Sequence, residues 1–492
     1  MSNWLTGLEA VLDPAVLILI LLGMLLGVIV GAIPGLSATV GIAIFLPFTF
    51  TLDALPGLVF LLGIYNGACY AGSIPAILLR APGTPAAAST VLDGYPMSQR
   101  GQAGQALSIS LVASVVGGIM GTVLLILSAP ALADFALSFG PAEYFAVAVL
   151  ALTIIASLGE GALAKGIISA ALGVLIAMVG LDSIAGFTRF TFGSPELSGG
   201  VELIPLLVGL FGAAEALKQL ERLRGDSEVA TEMGAFRLGL ARLRSISRTA
   251  IGSRVLGFII GVLPGVGGDI GGYVAYNETK RFARTEKRFG EGEPQGVAAA
   301  ESANNSGQVG GLVTTLTLGI PGNTAAAVLI GALLVQGLRP GPALFSGSPD
   351  LVYGSFIAIL LSFVALLVIG GLGIRLWVRV LRVPPQVLWP TVLVLSIIGS
   401  YAVRTNPFDV FIMLFAGILG YLMVKRNFPV APLLIGVIVG PLAEENFRLA
   451  MIQAGGSFGW VFQPLTLALL ALAALSLGAS LWRARRSAGA KD

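Results

Sequence analysis

Four of the six Pro-Gly dipeptides in this chain interrupt apolar stretches as two matched pairs: Pro34-Gly35, Pro82-Gly83, Pro264-Gly265 and Pro321-Gly322. Proline removes one backbone N–H and blocks the carbonyl four residues before it, and glycine gives the backbone the freedom to turn sharply. Small polar residues suited to helix N-caps follow three of the breaks: Ser37 and Thr39, then Thr84, then Asn323 and Thr324. Asp269 follows the remaining one, within GVGGDIGG. A helix that restarts after a break presents free N–H groups and the positive end of its dipole. Several such ends meeting in a low-dielectric interior would hold an anion with little formal positive charge. The competing reading is four packed kinks, and the pairing of the breaks weighs against it.

That pairing is a matter of spacing. GAIPGLSATVG at 31–41 returns as GVLPGVGGDIG at 261–271, which sets Pro34 and Pro264 230 positions apart. LLRAPGTPAAA at 78–88 returns as TLGIPGNTAAA at 317–327, and Pro82 and Pro321 are 239 positions apart. The chain therefore reads as two copies of one unit. Broken membrane helices at matching places in two halves point to a transporter's binding site. The copies are not chemically equal: Gly267-Gly268-Asp269 stands where the first has Ser37-Ala38-Thr39, and Gly319 stands where the first has Arg80.

The elements that must carry these breaks are membrane helices. Hydrophobic residues make up 56% of the 492 positions and charged residues 11%, against about 25% charged in an ordinary soluble chain. Uncharged runs such as 16–52 and 103–133 are long enough to span a bilayer and lack the alternation of a β-barrel. The 66 glycines and 26 prolines suit close-packed or broken membrane helices. The predicted fold is an all-α polytopic membrane protein with two inverted-topology repeats and Pro-Gly-broken helices or re-entrant hairpins. There is no histidine and one cysteine, Cys69, which excludes Cys/His metal sites, internal disulfides and histidine catalysis. No GxxxxGK[ST] motif supports nucleotide hydrolysis. The N-terminal MSNWLTGLEAVLDP lacks the positive region of a signal peptide, so the first apolar segment is expected to stay in the mature protein.

Lys and Arg mark the cytoplasmic side. The polar stretch 215–254 carries Lys218, Arg222, Arg224, Arg237, Arg242, Arg244, Arg248 and Arg254, and 278–294 carries Lys280, Arg281, Arg284, Lys287 and Arg288. Both are placed inside, so the apolar run 255–276 must enter and leave on one side as a re-entrant hairpin. In the second half Arg375, Arg379 and Arg382 fall inside; 385–402 crosses outward, 408–424 returns to Lys425 and Arg426, 428–442 leads out to Glu444 and Glu445, and 461–482 returns to Arg483, Arg485 and Arg486. Arg100 falls inside, and the loop at 94–102 with it; its counterpart at 337–349 falls outside, which makes the repeats inverted. Arg189, Arg339, Arg404 and Arg448 are the exceptions, placed outside. The expected organisation is membrane repeat 1 over 1–214, a cytoplasmic linker over 215–254, membrane repeat 2 over 255–460, and an additional transmembrane helix with a basic tail over 461–492. The N-terminus is expected outside and the C-terminus in the cytoplasm.

Four polar features remain. Glu301-Ser-Ala-Asn304-Asn305-Ser306 interrupts an apolar region, and its carboxamides suit either a ligand or helix–helix hydrogen bonds. Asp269 is an intramembrane carboxylate, a functional candidate as a sodium ligand or proton carrier, or else an N-cap. Arg80 suits a substrate carboxylate or an internal role. Asp182, Arg189 and the aromatics of GFTRFTFG read as an outer loop or interface anchor.

GAIPGLSATVGIAIFLPFTF, YAGSIPAILLRAPGTPAAASTVLDGYP, GVLPGVGG, AAAESANNSG and LTLGIPGNTAAAVLIGALLVQGLRPGP, with the later LDSIAGFTRFTFG and GYLMVKRNFPVAPLLIGVIVGPLAEEN, resemble the large membrane subunit of tripartite tricarboxylate transporters, the TctA type. The resemblance covers nearly the whole chain. It implies a bacterial inner-membrane secondary transporter that works with a small membrane subunit and a periplasmic solute-binding protein delivering a carboxylate, coupled to a sodium or proton gradient. On this reading Pro34, Gly35, Ser37, Thr39, Gly72, Ser73, Pro82, Gly83, Thr84, Pro321, Gly322, Asn323 and Thr324 face the substrate. Pro264, Gly265, Gly267, Gly268, Asp269, Asn304 and Asn305 hold the coupling ion. No cofactor, no metal beyond sodium, no enzyme activity and no nucleic-acid partner is expected. The alternatives are an anion channel, with flux independent of a gradient, and a stand-alone carrier for another organic anion. An aspartyl enzyme using Asp182 and Asp269 has no supporting signature around either residue.

Overall fold

The computed structural model describes residues 2–158, 163–182, 184, 186–221, 240–265, 267–283, 288–380 and 383–488. Arg222, Arg224, Arg237, Arg284, Lys287 and Arg382 lie outside the described residues, and Arg242, Arg244, Arg248, Arg375, Arg379, Arg483, Arg485 and Arg486 are described in their backbone alone. The regular structure among the described residues is helical, the exception being the two-residue pairing of Gly180–Leu181 with Thr188–Arg189. Among the described residues nine helices are long and apolar enough to cross a membrane, from Pro14–Ala32 to Pro464–Leu481. Helices are the expected form, because hydrocarbon leaves no partner for a backbone N–H outside its own segment. Sequence-local signals start them: Asp13 accepts the Ala15 N–H at 2.8 Å ahead of Pro14, and Asn406 accepts the Phe408 N–H at 3.0 Å ahead of Pro407.

The chain folds as two compact units, and each takes one stretch from either half: Met1–Leu132 with Glu215–Gly399, and Ala133–Ala214 with Ser400–Asp492. The first holds all four Pro-Gly breaks. Its centre is a pair of helices, Ala54–Ala71 and Pro294–Leu318. In the first only Ala54 and Pro56 escape burial, and in the second every residue from Gly296 to Thr317 is buried. The Pro294–Leu318 helix is not among the nine candidate spans; it carries Glu301, Asn304, Asn305 and Gln308, a load that a fully protein-covered helix tolerates and a lipid-facing one does not.

Small residues allow the flanking helices to lie against this pair. A Cβ on Gly27 of the Pro14–Ala32 helix would stand 2.4 Å from the Ile64 carbonyl oxygen, and one on Gly257 of the Leu240–Val262 helix 2.4 Å from that of Ala303. Likewise Gly31 meets Ala68 and Gly261 meets Gly307. Gly27 and Gly257 differ by the 230-residue offset, and Ile64 and Ala303 by the 239-residue offset, so one contact recurs at both spacings found in the sequence. The ends of Ser73–Leu79, which follows the first central helix, and of Pro294–Leu318 match too. Arg80 and Gly319, 239 positions apart, are both left-handed C-caps, at φ 56° and 69°. Arg80 is exposed, with its guanidinium 5.9 Å from the Tyr95 ring centre.

The hairpin expected over 255–276 consists of Leu240–Val262 packed against Gly267–Phe282. Only Ile251–Val262 of its first arm is apolar. Those residues cover about 18 Å, short of a core of about 30 Å.

In the second unit Leu206, Leu210, Ile412, Ala416, Leu433 and Val437 form a core. The helix expected to end at 442 runs on, as Val430–Gln453, and so brings Glu444 and Arg448 onto one ion-pair network. Arg448 binds Asp182 at 2.8 Å, and Arg189 binds Glu444 at 2.7 Å and Asp182 at 3.4 Å. The hydrogen bond that Arg189 donates to Glu444 holds its guanidinium above the ordinary arginine range. Arg404 pairs with Asp409 and with Glu202, each at 2.6 Å. Three of the four arginines that broke the charge pattern are thus paired with acids. The fourth, Arg339, is exposed.

Candidate substrate and ion site

Three of the four breaks restart as the sequence suggests. Ser37 caps Ala38–Phe45, its hydroxyl accepting the Val40 N–H at 3.4 Å. Asn323 caps Thr324–Val335, accepting the Ala326 N–H at 2.8 Å. Thr84 accepts the Ala87 N–H at 3.3 Å, but what it caps is a four-residue 3₁₀ turn, Pro85–Ala88, ahead of Val91–Gln99. The dipole end after Pro82 is therefore much shorter than the one after Pro321. At the remaining break Val266 lies outside the described residues, and Gly267–Phe282 begins directly after it with Asp269 in its first turn.

The glycines at the breaks serve two purposes. Gly35 and Gly265, 230 positions apart, sit in the left-handed region at φ 92° and 76°, where glycine carries no steric penalty. Gly83 and Gly322 have no positive φ. The expectation of backbone freedom at these two is corrected to a need for space. A Cβ on Gly83 would lie 2.4 Å from the Gly31 oxygen and 2.9 Å from the Gly72 Cα; one on Gly322 would lie 2.3 Å from the Gly311 Cα. Gly72 and Gly311 are again 239 positions apart.

The breaks converge. Thr39 and Thr324 share a hydroxyl–hydroxyl hydrogen bond of 2.9 Å. The Gly265 N–H reaches the Pro321 oxygen at 3.3 Å, and the Cβ direction of Gly267 points at the Asn323 Cβ. Gly268 faces the backbone of Asn304 and Gln308. Gly35 lies against Gln219 and Glu215. Asp269 is partly buried, and its carboxylate has no hydrogen-bond or ion-pair partner among the described residues. Of the remaining sites expected from sequence, Ser73 is buried and hydrogen-bonded to Ser110 at 2.6 Å. Asn304 and Asn305, although adjacent, do different things: Asn304 Oδ1 accepts from Cys69 Sγ at 3.3 Å, while Asn305 Nδ2 donates to the backbone carbonyl of Glu301 at 3.1 Å.

Several polar residues at this centre carried no role in the sequence. Tyr65 donates to Gln308 Oε1 at 2.5 Å, and Asn323 Nδ2 donates to Tyr65 at 2.7 Å and to Gln308 at 2.8 Å. Glu301, fully buried, accepts from the hydroxyl of Thr90 and from that of Ser114, the latter at 3.0 Å. No cation lies within ion-pair distance of Glu301 among the described residues. The 239-residue offset carried into the central helices would have found these positions, since it equates Tyr65 with Asn304, Asn66 with Asn305, and Cys69 with Gln308. It also equates Glu301 and Thr90 with Leu62 and Leu329, which line an apolar cavity.

Broken helices around a buried polar centre, in a chain with nine candidate spans among its described residues, define a polytopic all-α membrane protein of the transporter class. The chain belongs to the tripartite tricarboxylate transporter TctA family, whose model matches residues 17–435. This is a family of transporters rather than enzymes. A protein of Agrobacterium vitis described as an uncharacterized 52.8 kDa protein in the TAR-I ttuC' 3'region is 38% identical over 474 residues, covering 96% of this chain and 94% of that protein. A second from the same organism, described as an uncharacterized protein in the TAR-II ttuC' 3'region, is 36% identical over 217 residues, covering 44% of this chain and 90% of that protein. No solved structure matches the chain.

Proposed function

We propose that this chain is the large transmembrane subunit of a binding-protein-dependent secondary transporter that imports a tricarboxylate or related organic acid by alternating access, driven by a sodium or proton gradient. Its partners would be a small membrane subunit and a periplasmic solute-binding protein, in the inner membrane of a bacterium, with the N-terminus outside. The observation that carries the reading is the recurrence of one set of contacts at two offsets: Gly27 on Ile64 with Gly257 on Ala303, and Gly83 on Gly72 with Gly322 on Gly311. Two copies of one packing unit around one polar centre are a common basis for alternating access. Asp93 supports the predicted sidedness. Its Oδ1 accepts the N–H groups of Gly290, Gly292 and Glu293, each at 2.8 Å, which joins the two segments that the charge pattern puts in the cytoplasm.

Within the site, anions favour the helix starts after Pro34, Pro82 and Pro321, and a cation favours the GVGGD turn with its free Asp269 carboxylate and the nearby Asn304 and Asn305. The test is uptake of radiolabelled citrate into vesicles containing the chain and both partners, under imposed sodium or pH gradients. Accumulation against the citrate gradient is expected. Asp269→Asn should weaken dependence on the driving ion more than apparent citrate affinity, and Thr84→Ala or Ser37→Ala should do the reverse. Flux that ignores both gradients would replace the carrier with a channel.

A further inference from the structure

Where the two central helices cross, contacts follow the exchange of the two copies. Tyr65 OH donates to Gln308 Oε1, and its counterpart pair is Asn304 with Cys69, joined by the Cys69 Sγ to Asn304 Oδ1 contact of 3.3 Å. The adjoining breaks do not follow it. Asn323 spans Tyr65 OH and Gln308 Oε1 with its Nδ2 while its Oδ1 caps the helix behind it. Thr84, the counterpart of Asn323, caps its own turn and reaches neither Asn304 nor Cys69 among the described residues. Asn304 holds the place of Tyr65. Its Nδ2 is buried and has no hydrogen-bond partner among the described residues. One side of the crossing is therefore closed by three residues, and the other carries a donor with nothing to donate to.

We infer that Asn323, Tyr65 and Gln308 form a latch that holds the second break against the central helices in this conformation, and that the opposite conformation exchanges it for a cluster of Thr84, Asn304 and Cys69. This rests on the alternating-access reading above. A buried amide group left unpaired is unfavourable, and the exchange gives the Asn304 Nδ2 the Thr84 hydroxyl as acceptor while it releases Asn323. Bonds are lost at one end of the crossing as they are gained at the other, which is the form a two-state element must take. The ends are unequal. Asn323 makes two hydrogen bonds from one nitrogen, whereas Thr84 offers one hydroxyl, so the conformation described here is the favoured one without ligand. Neither Tyr65 nor Gln308 needs to touch substrate for this role; both position the break that does.

The native Cys69 supplies the test. In full-length protein in membranes, Thr84→Cys is combined with Cys69 and treated with a short bis-methanethiosulfonate cross-linker, and the linked peptides are quantified by mass spectrometry. Adding Tyr65→Phe, which keeps the ring and the Asn323 cap, should raise cross-linking at least about fivefold, the shift expected when the favoured state loses the hydrogen bonds of the Tyr65 hydroxyl and the minor state gains population. A second readout, independent of Thr84→Cys, is amide hydrogen exchange of Thr324–Val335, which should quicken in Tyr65→Phe and in Gln308→Leu. Cross-linking and exchange unchanged from the parent in both variants overturn the latch. Citrate uptake is measured alongside on the wild-type chain. Normal uptake with no change in either readout removes the latch alone, whereas changed readouts without any gradient-driven uptake keep the latch and remove the transport reading.

Discussion

Gly322 is packed so closely on Gly311 that a Cβ added to it would stand 2.3 Å from the Gly311 Cα. Gly83 stands in the same relation to Gly72, with the Gly31 oxygen closing the other side. Both contacts involve backbone, which cannot yield as the end of a side chain can. Gly322→Leu and Gly83→Leu are each expected to abolish uptake while the protein still inserts, as measured by membrane-fraction immunoblot and citrate accumulation. Normal uptake in both would reduce these breaks to structural kinks.

Glu301 holds two buried hydroxyls, those of Thr90 and Ser114. Glu301→Gln keeps an acceptor and a donor at the position, so the fold is expected to persist. Glu301→Leu, which copies the counterpart Leu62, leaves both hydroxyls without it and should cost about 1–3 kcal/mol for each unsatisfied group. Thermal unfolding in detergent followed by tryptophan fluorescence separates the two variants. Equal melting temperatures would show that Thr90 and Ser114 find other partners.

Asp182 is 1% exposed and faces two arginines, Arg189 and Arg448. Removing one member of a buried ion pair costs about 3–5 kcal/mol. Arg448 is 33% exposed, so solvent screens part of that loss, and Asp182→Ala should cost about 2–3 kcal/mol. Asp182→Glu should recover part of it. Thermal unfolding at low and high salt measures both effects, and the loss should shrink as salt rises.

Sidedness is checked with single cysteines in a Cys69→Ser background. Ser346→Cys, in an exposed stretch of the 337–349 loop, should react with a membrane-impermeant maleimide applied to sealed right-side-out vesicles. Arg244→Cys should react only after permeabilisation. Reaction at 244 from outside would sink the inverted arrangement.

The sequence alone determined the solvent and the plan. A chain with 56% hydrophobic and 11% charged residues has to pair its backbone inside helices, because hydrocarbon offers no other partner. Pro-Gly breaks at two fixed offsets pointed to a repeated unit, since proline and glycine dictate local backbone whatever surrounds them. For the same reason Ser37, Thr84 and Asn323 were legible as caps: a cap bonds an N–H only three residues on.

Only tertiary structure decided what the side chains of the central helices do. Tyr65 and Gln308 are 243 positions apart, and nothing local marks either as polar glue. The division of labour between Asn304 and Asn305 depends on which neighbour each faces. Whether a glycine answers a turn or a close approach could not be read from its type, because Gly35 takes a positive φ while Gly322 only makes room. Arg189 and Arg448 disturbed the charge pattern in sequence, where their partners Asp182 and Glu444 could not be matched to them. Local rules act through a few bonds along the chain. Burial, pairing and close approach are set by residues that meet only when the helices pack.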